Sequence, residues 1–225
     1  SAVKRKDKNF MVSLSDKREF ETRALILTTG SRRKKLGVPS EKELDGKGVA
    51  YCSTCDAPLF IGNDVAVVGG GNAGLEAVLD LLPYATKIYS MEYSGNFKGD
   101  PVTLERLKKE KKVEMMTMTE TQEILGDKFV NGLTYKDRKD DSLKHLSLGG
   151  VFIEIGEVPN SEIVKDLVSL NKYGEIIVDH KTQRTSCEGV WAAGDVADVL
   201  YKQNNISVGD AVKAVLNIVD YLGKE

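Results

Sequence analysis

Cys52-Ser53-Thr54-Cys55 is the first group of residues able to do chemistry. Two residues between the cysteines let the thiols close a disulfide across one helical turn, and a first thiol at a helix N-terminus is activated there. The same spacing is also half a zinc site, and it equally suits two inert thiols. A zinc site needs two more ligands. There is no second CxxC, and the only histidines, His145 and His180, stand at no motif spacing, so both are expected at the surface and no metal site is expected. Asp56 follows the motif directly, and a carboxylate beside a dithiol is placed to shuttle protons.

Gly69-Gly70-Gly71-Asn72-Ala73-Gly74 reads as G-x-G-x-x-G through Gly69, Gly71 and Gly74. Gly69 permits a tight turn, Gly71 lets the backbone approach a pyrophosphate, and Gly74 lets a helix pack closely on a strand. Asn72 opens that helix, whose N-terminus offers N–H donors and a positive dipole to phosphate. Without a ligand the segment would be only a glycine-rich turn. Glu92 lies eighteen residues past Gly74, at the end of the next expected strand. An acid there accepts from a ribose 2′-OH and repels a 2′-phosphate. The local MEYSGNFKG holds no Arg, and Lys98 is the only base close by in sequence, so NADH is favoured over NADPH. Gly194-Asp195 ends another apolar run, GVWAA, where Gly allows close approach and Asp can accept from a sugar hydroxyl. Cys187, without a neighbouring Cys, is read as a structural thiol.

The elements that must position these residues follow from apolar patterning. Asp64–Val68 is the strongest strand, and a helix is expected over Ala73–Leu82, stopped at Pro83. Further strands are expected at Phe10–Leu14, Phe20–Arg23, Ala24–Thr29, Thr86–Glu92, Val113–Met116, Val151–Ile155, Ile176–Val178 and Val190–Ala193. Helices are expected at Pro101–Lys109 and Ser207–Leu222. Glu123–Leu125, Gly132–Lys136 and Ser142–Leu148 read as a small antiparallel meander. Lys108–Lys112 reads as a solvated helix end, and Ser31–Lys47, polar and turn-rich, as a domain crossing. Strands alternating with helices imply an α/β fold with a parallel sheet.

At 225 residues the chain holds one large or two small domains. Its 32 basic and 34 acidic residues give a charge of −2, no basis for a nucleic-acid or acidic-membrane partner. No apolar run reaches the ~18 residues of a membrane span. Three cysteines are an odd, low count that argues against a secreted disulfide framework, so a reducing cytoplasm is the expected location. The chain begins without Met and enters in mid-structure, which leads us to expect a piece of a longer protein.

Cys52–Phe60 (CSTCDAPLF), Val67–Glu76 (VVGGGNAGLE), Gly189–Val196 (GVWAAGDV) and Tyr201–Gln203 (YKQ) together resemble the low-molecular-weight thioredoxin reductases. They equally resemble the flavoprotein component of alkyl hydroperoxide reductase, of the same class II pyridine nucleotide-disulfide oxidoreductases. Ala24–Pro39 resembles the segment by which that family leaves its flavin domain. The resemblance implies a Rossmann-like nucleotide-binding domain inserted into a Rossmann-like FAD domain. Residues 34–158 would form the first; 1–33 and 159–225 would be parts of the second. It implies that NAD(P)H reduces FAD, FAD reduces the Cys52–Cys55 disulfide, and the dithiol reduces a partner's disulfide. Cys55 would face the flavin, Cys52 would attack the partner and Asp56 would be the proton donor. Gly194 and Asp195 would hold FAD, with Lys202 and Gln203 near its ring, and Gly156 and Pro159 match the family's G-x-x-P return.

Partners implied are a thioredoxin, a glutaredoxin-like protein or a peroxiredoxin system, and the whole protein would be a homodimer. The family's basic NADPH cluster is replaced by Glu92, as in NADH-using relatives; a deazaflavin donor is the lesser alternative. Ala57 and Asn204 depart from a usual Gly and a usual small residue. The family's N-terminal G-x-G-x-x-G, which grips the FAD pyrophosphate, has no counterpart here. About 100 residues, the size of a small domain half, are expected to be missing, and FAD is expected to bind weakly or not at all. The alternative for this chain is a nucleotide-binding module with a redox dithiol and no turnover.

Overall fold

The computed structural model describes residues 2–223. The chain divides into two compact units, one of Arg33–Gly156 and one of the residues up to Arg32 together with those from Glu157 onward.

The Arg33–Gly156 unit is built on a five-stranded parallel sheet. Its strand order is Val49–Ala50, Gly150–Ile153, Asp64–Val68, Lys87–Glu92 and Val113–Thr117. Asp64–Val68, at the centre, reads as a continuous apolar run because both of its faces are covered. Val65 and Val67 pack with Leu75, Val78 and Leu81 of the helix Asn72–Leu81. Ala66 and Val68 pack on the other side with Ile124, Leu133 and Tyr135. Those three belong to an antiparallel meander of Thr119–Gly126, Val130–Asp137 and Ser142–Ser147. The first two strands run longer than expected because their outer faces are polar, and the third ends one residue short of its expected end, at Ser147. The helix ends at Leu81 with Leu82 as its cap, just before Pro83, which cannot continue it. Lys112 is not merely solvated: its ammonium donates to the carbonyls of Leu82 (2.6 Å) and Ala85 (3.0 Å) beyond that helix.

The other unit holds a three-stranded antiparallel sheet of Ala2–Lys6, Asn9–Ser13 and Glu19–Thr22. Ala2–Lys6 was not expected as a strand, since AVKRK buries almost nothing. A four-stranded sheet runs in the order Val178–Asp179, Arg184–Thr185, Val190–Ala192 and Leu25–Leu27, the last pair parallel. The expected strand at Ile176–Val178 is shifted, and Ile176 makes only isolated bridges. The closing helix, Asn204–Leu222, begins three residues earlier than its apolar pattern. Cys187 is buried in this unit's core, and His145 and His180 are exposed.

Candidate nucleotide and disulfide site

Cys52 and Cys55 form a disulfide with Cα atoms 5.3 Å apart. Cys52 is the extended N-cap of the short helix Ser53–Asp56, so its sulfur meets the first free N–H groups of that turn. The Cys55 N–H donates to Cys52 Sγ at 3.3 Å, and the Asp56 N–H to the Cys52 carbonyl at 3.1 Å. Cys55 is exposed and Cys52 half-buried. Ala57 and Phe60 then bury themselves, Phe60 meeting Phe152 edge-on at 4.9 Å, and this anchors the turn in the core. Leu59 and Ile61 stay exposed beside it. Asp56 lines a groove with Leu59, Phe60 and Phe129.

One carboxylate holds this turn and a second braces Tyr51, the residue before it; neither was singled out in the sequence. Asp80 Oδ2 accepts from Ser53 Oγ at 2.8 Å and from Thr54 Oγ1 at 3.1 Å. Glu41, only 4% exposed, accepts from the N–H groups of Leu36 (3.0 Å) and Gly37 (2.6 Å) and from the Tyr51 hydroxyl (2.7 Å). Burial and the Glu41 carboxylate push the Tyr51 phenol far above its ordinary value.

The glycine turn joins the strand Asp64–Val68 to the helix Asn72–Leu81. Gly69 has φ +129°, and a Cβ there would lie 2.2 Å from the Glu154 carbonyl oxygen. A Cβ on Gly74 would lie 1.8 Å from the Gly69 carbonyl oxygen. Gly71, extended at φ −86°, faces open space where its Cβ would be. The first helical bond runs from the Leu75 N–H to the Gly71 carbonyl at 3.0 Å. Among the described residues the N–H groups of Asn72, Ala73 and Gly74 therefore have no acceptor. Free donors, an open backbone surface and the positive helix end fit a diphosphate. Asn72 Oδ1 accepts from the Asp100 N–H at 2.7 Å, which fixes the loop facing the turn.

Glu92 ends the next strand. Its Oε2 accepts from the Gly70 N–H at 2.8 Å, and its Oε1 from the N–H (2.7 Å) and hydroxyl (2.5 Å) of Ser94. The carboxylate thus stands against the glycine turn. Leu36, Pro39, Gly69, Glu92, Tyr93 and Ile155 line one cavity around it. Arg138, far off in sequence, stacks 3.9 Å from the Tyr93 ring centre and donates to the Tyr93 carbonyl at 3.0 Å. The arginine missing from MEYSGNFKG is supplied by the turn after the meander's second strand, Val130–Asp137. Gly156 is in the left-handed region at φ +96° and ends this unit.

In the other unit, Gly194 has φ +76°, and a Cβ there would lie 3.0 Å from Ser207 Oγ. Asp195 is half-buried, with Ser207 Oγ 3.5 Å from its Oδ1. Lys202 is engaged within this unit. Its ammonium pairs with Glu175 at 2.8 Å and donates to the carbonyls of Asp195 (2.9 Å) and Ala197 (3.1 Å). Gln203 is the exposed cap of the closing helix, without a side-chain capping bond. These residues offer a flavin a sugar-hydroxyl acceptor. A second glycine turn for its diphosphate is not among the described residues, so the fit to FAD is partial.

A parallel sheet whose central strand leads through a glycine turn into a helix defines a Rossmann-like α/β fold, and here the same unit carries a CxxC disulfide. The family model described as pyridine nucleotide-disulphide oxidoreductase matches residues 1–214, and the chain belongs to that family. It is 44% identical over 213 residues to an NADH dehydrogenase of Bacillus subtilis, covering 95% of this chain and 42% of that protein. It is 42% identical over 212 residues to an alkyl hydroperoxide reductase component of Xanthomonas campestris pv. phaseoli, covering 94% and 40%. The chain therefore spans about two fifths of the length of these relatives. Among solved structures, the T. acidophilum thioredoxin reductase matches at TM-score 0.78 and 37% identity, over 98% of this chain and 73% of that one. Lactococcus lactis thioredoxin reductase matches at TM-score 0.82 and 29% identity, over 100% and 74%. Among the described residues, no helix is long and apolar enough to cross a membrane.

Proposed function

We propose that the protein is the nucleotide-and-dithiol part of a flavin-dependent disulfide reductase, carrying an electron pair from NADH to the Cys52–Cys55 disulfide and on to a disulfide of a partner protein. The observation that carries this reading is a CxxC disulfide in the same compact unit as an open glycine turn with free N–H donors. Nicotinamide and flavin, when bound, supply the transfer of the electron pair. Asn72, Ala73 and Gly74 hold the nucleotide's diphosphate and Glu92 its ribose. Glu92, and the NADH in the name of the B. subtilis relative, favour NADH over NADPH.

Reduction of the disulfide takes two electrons and two protons and leaves two thiols. Cys52, whose sulfur accepts from the Cys55 N–H, loses a proton and attacks one sulfur of the partner disulfide. A mixed disulfide forms and the partner's other sulfur leaves as thiolate. Cys55 then displaces the partner from Cys52, which restores the disulfide, and the partner departs with two thiols. Asp56 gives and takes the protons. Exposed Leu59 and Ile61 beside the motif suit a protein surface rather than a small ion. The partner class is a thioredoxin-like or peroxiredoxin-system protein, as the relatives' names support.

The test is an anaerobic assay of the protein with FAD, NADH and an oxidised thioredoxin. Thiols should appear in step with NADH consumed, and Cys52→Ser and Cys55→Ser should each abolish this. Nucleotide binding without any thiol formation would overturn turnover by this chain and leave the module reading, which the single glycine turn among the described residues favours.

A further inference from the structure

The two residues between the cysteines both point their hydroxyls at one acceptor. Ser53 Oγ and Thr54 Oγ1 donate to the same oxygen of Asp80, at 2.8 and 3.1 Å. Asp80 sits in the last turn of Asn72–Leu81, the helix whose first turn carries the free N–H groups. Ser53 is 9% exposed, so its hydroxyl has little access to water as an alternative partner. A neutral acceptor would satisfy both hydroxyls as well. What a carboxylate adds is a negative charge behind the disulfide turn. The other charged groups about the turn are Asp56 on its own element, Glu76 one turn before Asp80, and Glu41, Lys35 and Asp45 at Tyr51, the last two paired at 3.1 Å. Four of these five are acidic.

We propose that Asp80 is a positioning residue that fixes the Cys52–Cys55 turn through Ser53 and Thr54 and, by its charge, keeps the dithiol strongly reducing. This rests on the disulfide-reductase reading and deepens it. Reduction adds two electrons and two protons to the disulfide; above the lower thiol pKa only one of those protons is held and a thiolate remains. A carboxylate close by disfavours that thiolate. A reduced form that is less stabilised makes the couple a better reductant, the reverse of the strongly oxidising dithiols. The charge thus favours passing electrons onward to a partner.

The test needs neither flavin nor nucleotide. The protein is equilibrated with reduced and oxidised dithiothreitol at pH 8, and free thiols are trapped by iodoacetamide and counted by mass. The pH profile of the alkylation rate is measured on the reduced protein. In Asp80→Asn the acceptor remains and the charge goes. We expect its reactive-thiol pKa to fall by about half a unit to one unit, with roughly a three- to tenfold shift of the exchange equilibrium towards the dithiol. Asp80→Glu keeps the charge and should return both readouts to wild type. A role limited to holding the turn would give the opposite order, with Asn silent and Glu perturbed, and that result overturns the proposal. If the wild-type dithiol does not cycle at all, the disulfide-reductase reading falls and the proposal falls with it. A cycling wild type with an unchanged Asp80→Asn sinks the proposal alone.

Discussion

Gly71→Ala separates binding from folding at the glycine turn. Gly71 is extended at φ −86° and ψ −174°, a conformation open to alanine, and the added Cβ would meet nothing within 4 Å. Alanine is a poorer N-cap than glycine by several tenths of a kcal/mol. Reduced freedom of the unfolded chain returns about 0.4–1 kcal/mol. Stability should therefore stay within about 1 kcal/mol of wild type. Binding should not, because the methyl occupies the surface that a diphosphate must approach. Displacing the phosphates from two free N–H groups forfeits two charge-assisted hydrogen bonds of ~1.5 kcal/mol or more each. That is about 3 kcal/mol, or roughly a hundredfold in Kd. Calorimetric titration with NADH and a thermal melt of the same sample make the measurement. Wild-type affinity in a folded variant would refute the assignment of this turn to phosphate. An unfolded variant would refute the claim that the space over Gly71 is free.

Gly74→Ala should fail differently: its Cβ would lie 1.8 Å from the Gly69 carbonyl oxygen, so strand and helix must part, and the melt should fall by the equivalent of about 1–3 kcal/mol. Glu92→Gln removes a charge that repels a 2′-phosphate, so the NADPH-to-NADH affinity ratio should rise about tenfold in parallel titrations; an unchanged ratio would leave Glu92 with its bonds to Gly70 and Ser94 only. Desalting after incubation with excess FAD should leave well under one flavin per chain in the visible spectrum, and a stoichiometric band would contradict the partial fit. Tyr51, raised by burial and Glu41, is a group whose folded pKa exceeds its unfolded one. Its contribution is full below pH ~10, the ordinary phenol value, and is lost as the pH rises towards the folded value. Tyr51→Phe should therefore lower stability at neutral pH by about 1 kcal/mol in urea titrations and flatten the alkaline loss.

What could be read from the sequence was whatever is local. Asp64–Val68 followed by Gly69–Gly74 announces strand, turn and helix because adjacent residues impose all three. CSTC announces a dithiol for the same reason. Asp80 could not be found that way: it lies 27 and 26 residues from the hydroxyls it accepts from, on the polar side of an ordinary amphipathic helix. Arg138 reaches Tyr93 only because the meander folds back over a face of the sheet, so the sequence around Glu92 holds no arginine. Val49–Ala50 is too short to show a period, and Asn204-Asn205 hid the first turn of the closing helix behind residues that usually mark loops.

The Arg33–Gly156 unit ends where it begins, since the Lys34 N–H donates to the Gly156 carbonyl at 2.9 Å. This bears on the order in which the chain can fold. Leu25–Leu27 must find Val190–Ala192, its parallel neighbour, across roughly 160 intervening residues. Once the internal unit has folded and brought its own ends together, the loop left to close is roughly 40 residues, which lowers the entropy of closure by about 1 kcal/mol. The internal unit then acts as a clasp: once the middle of the chain has taken shape, the sequence flanking it completes its own sheet at a lower entropic cost.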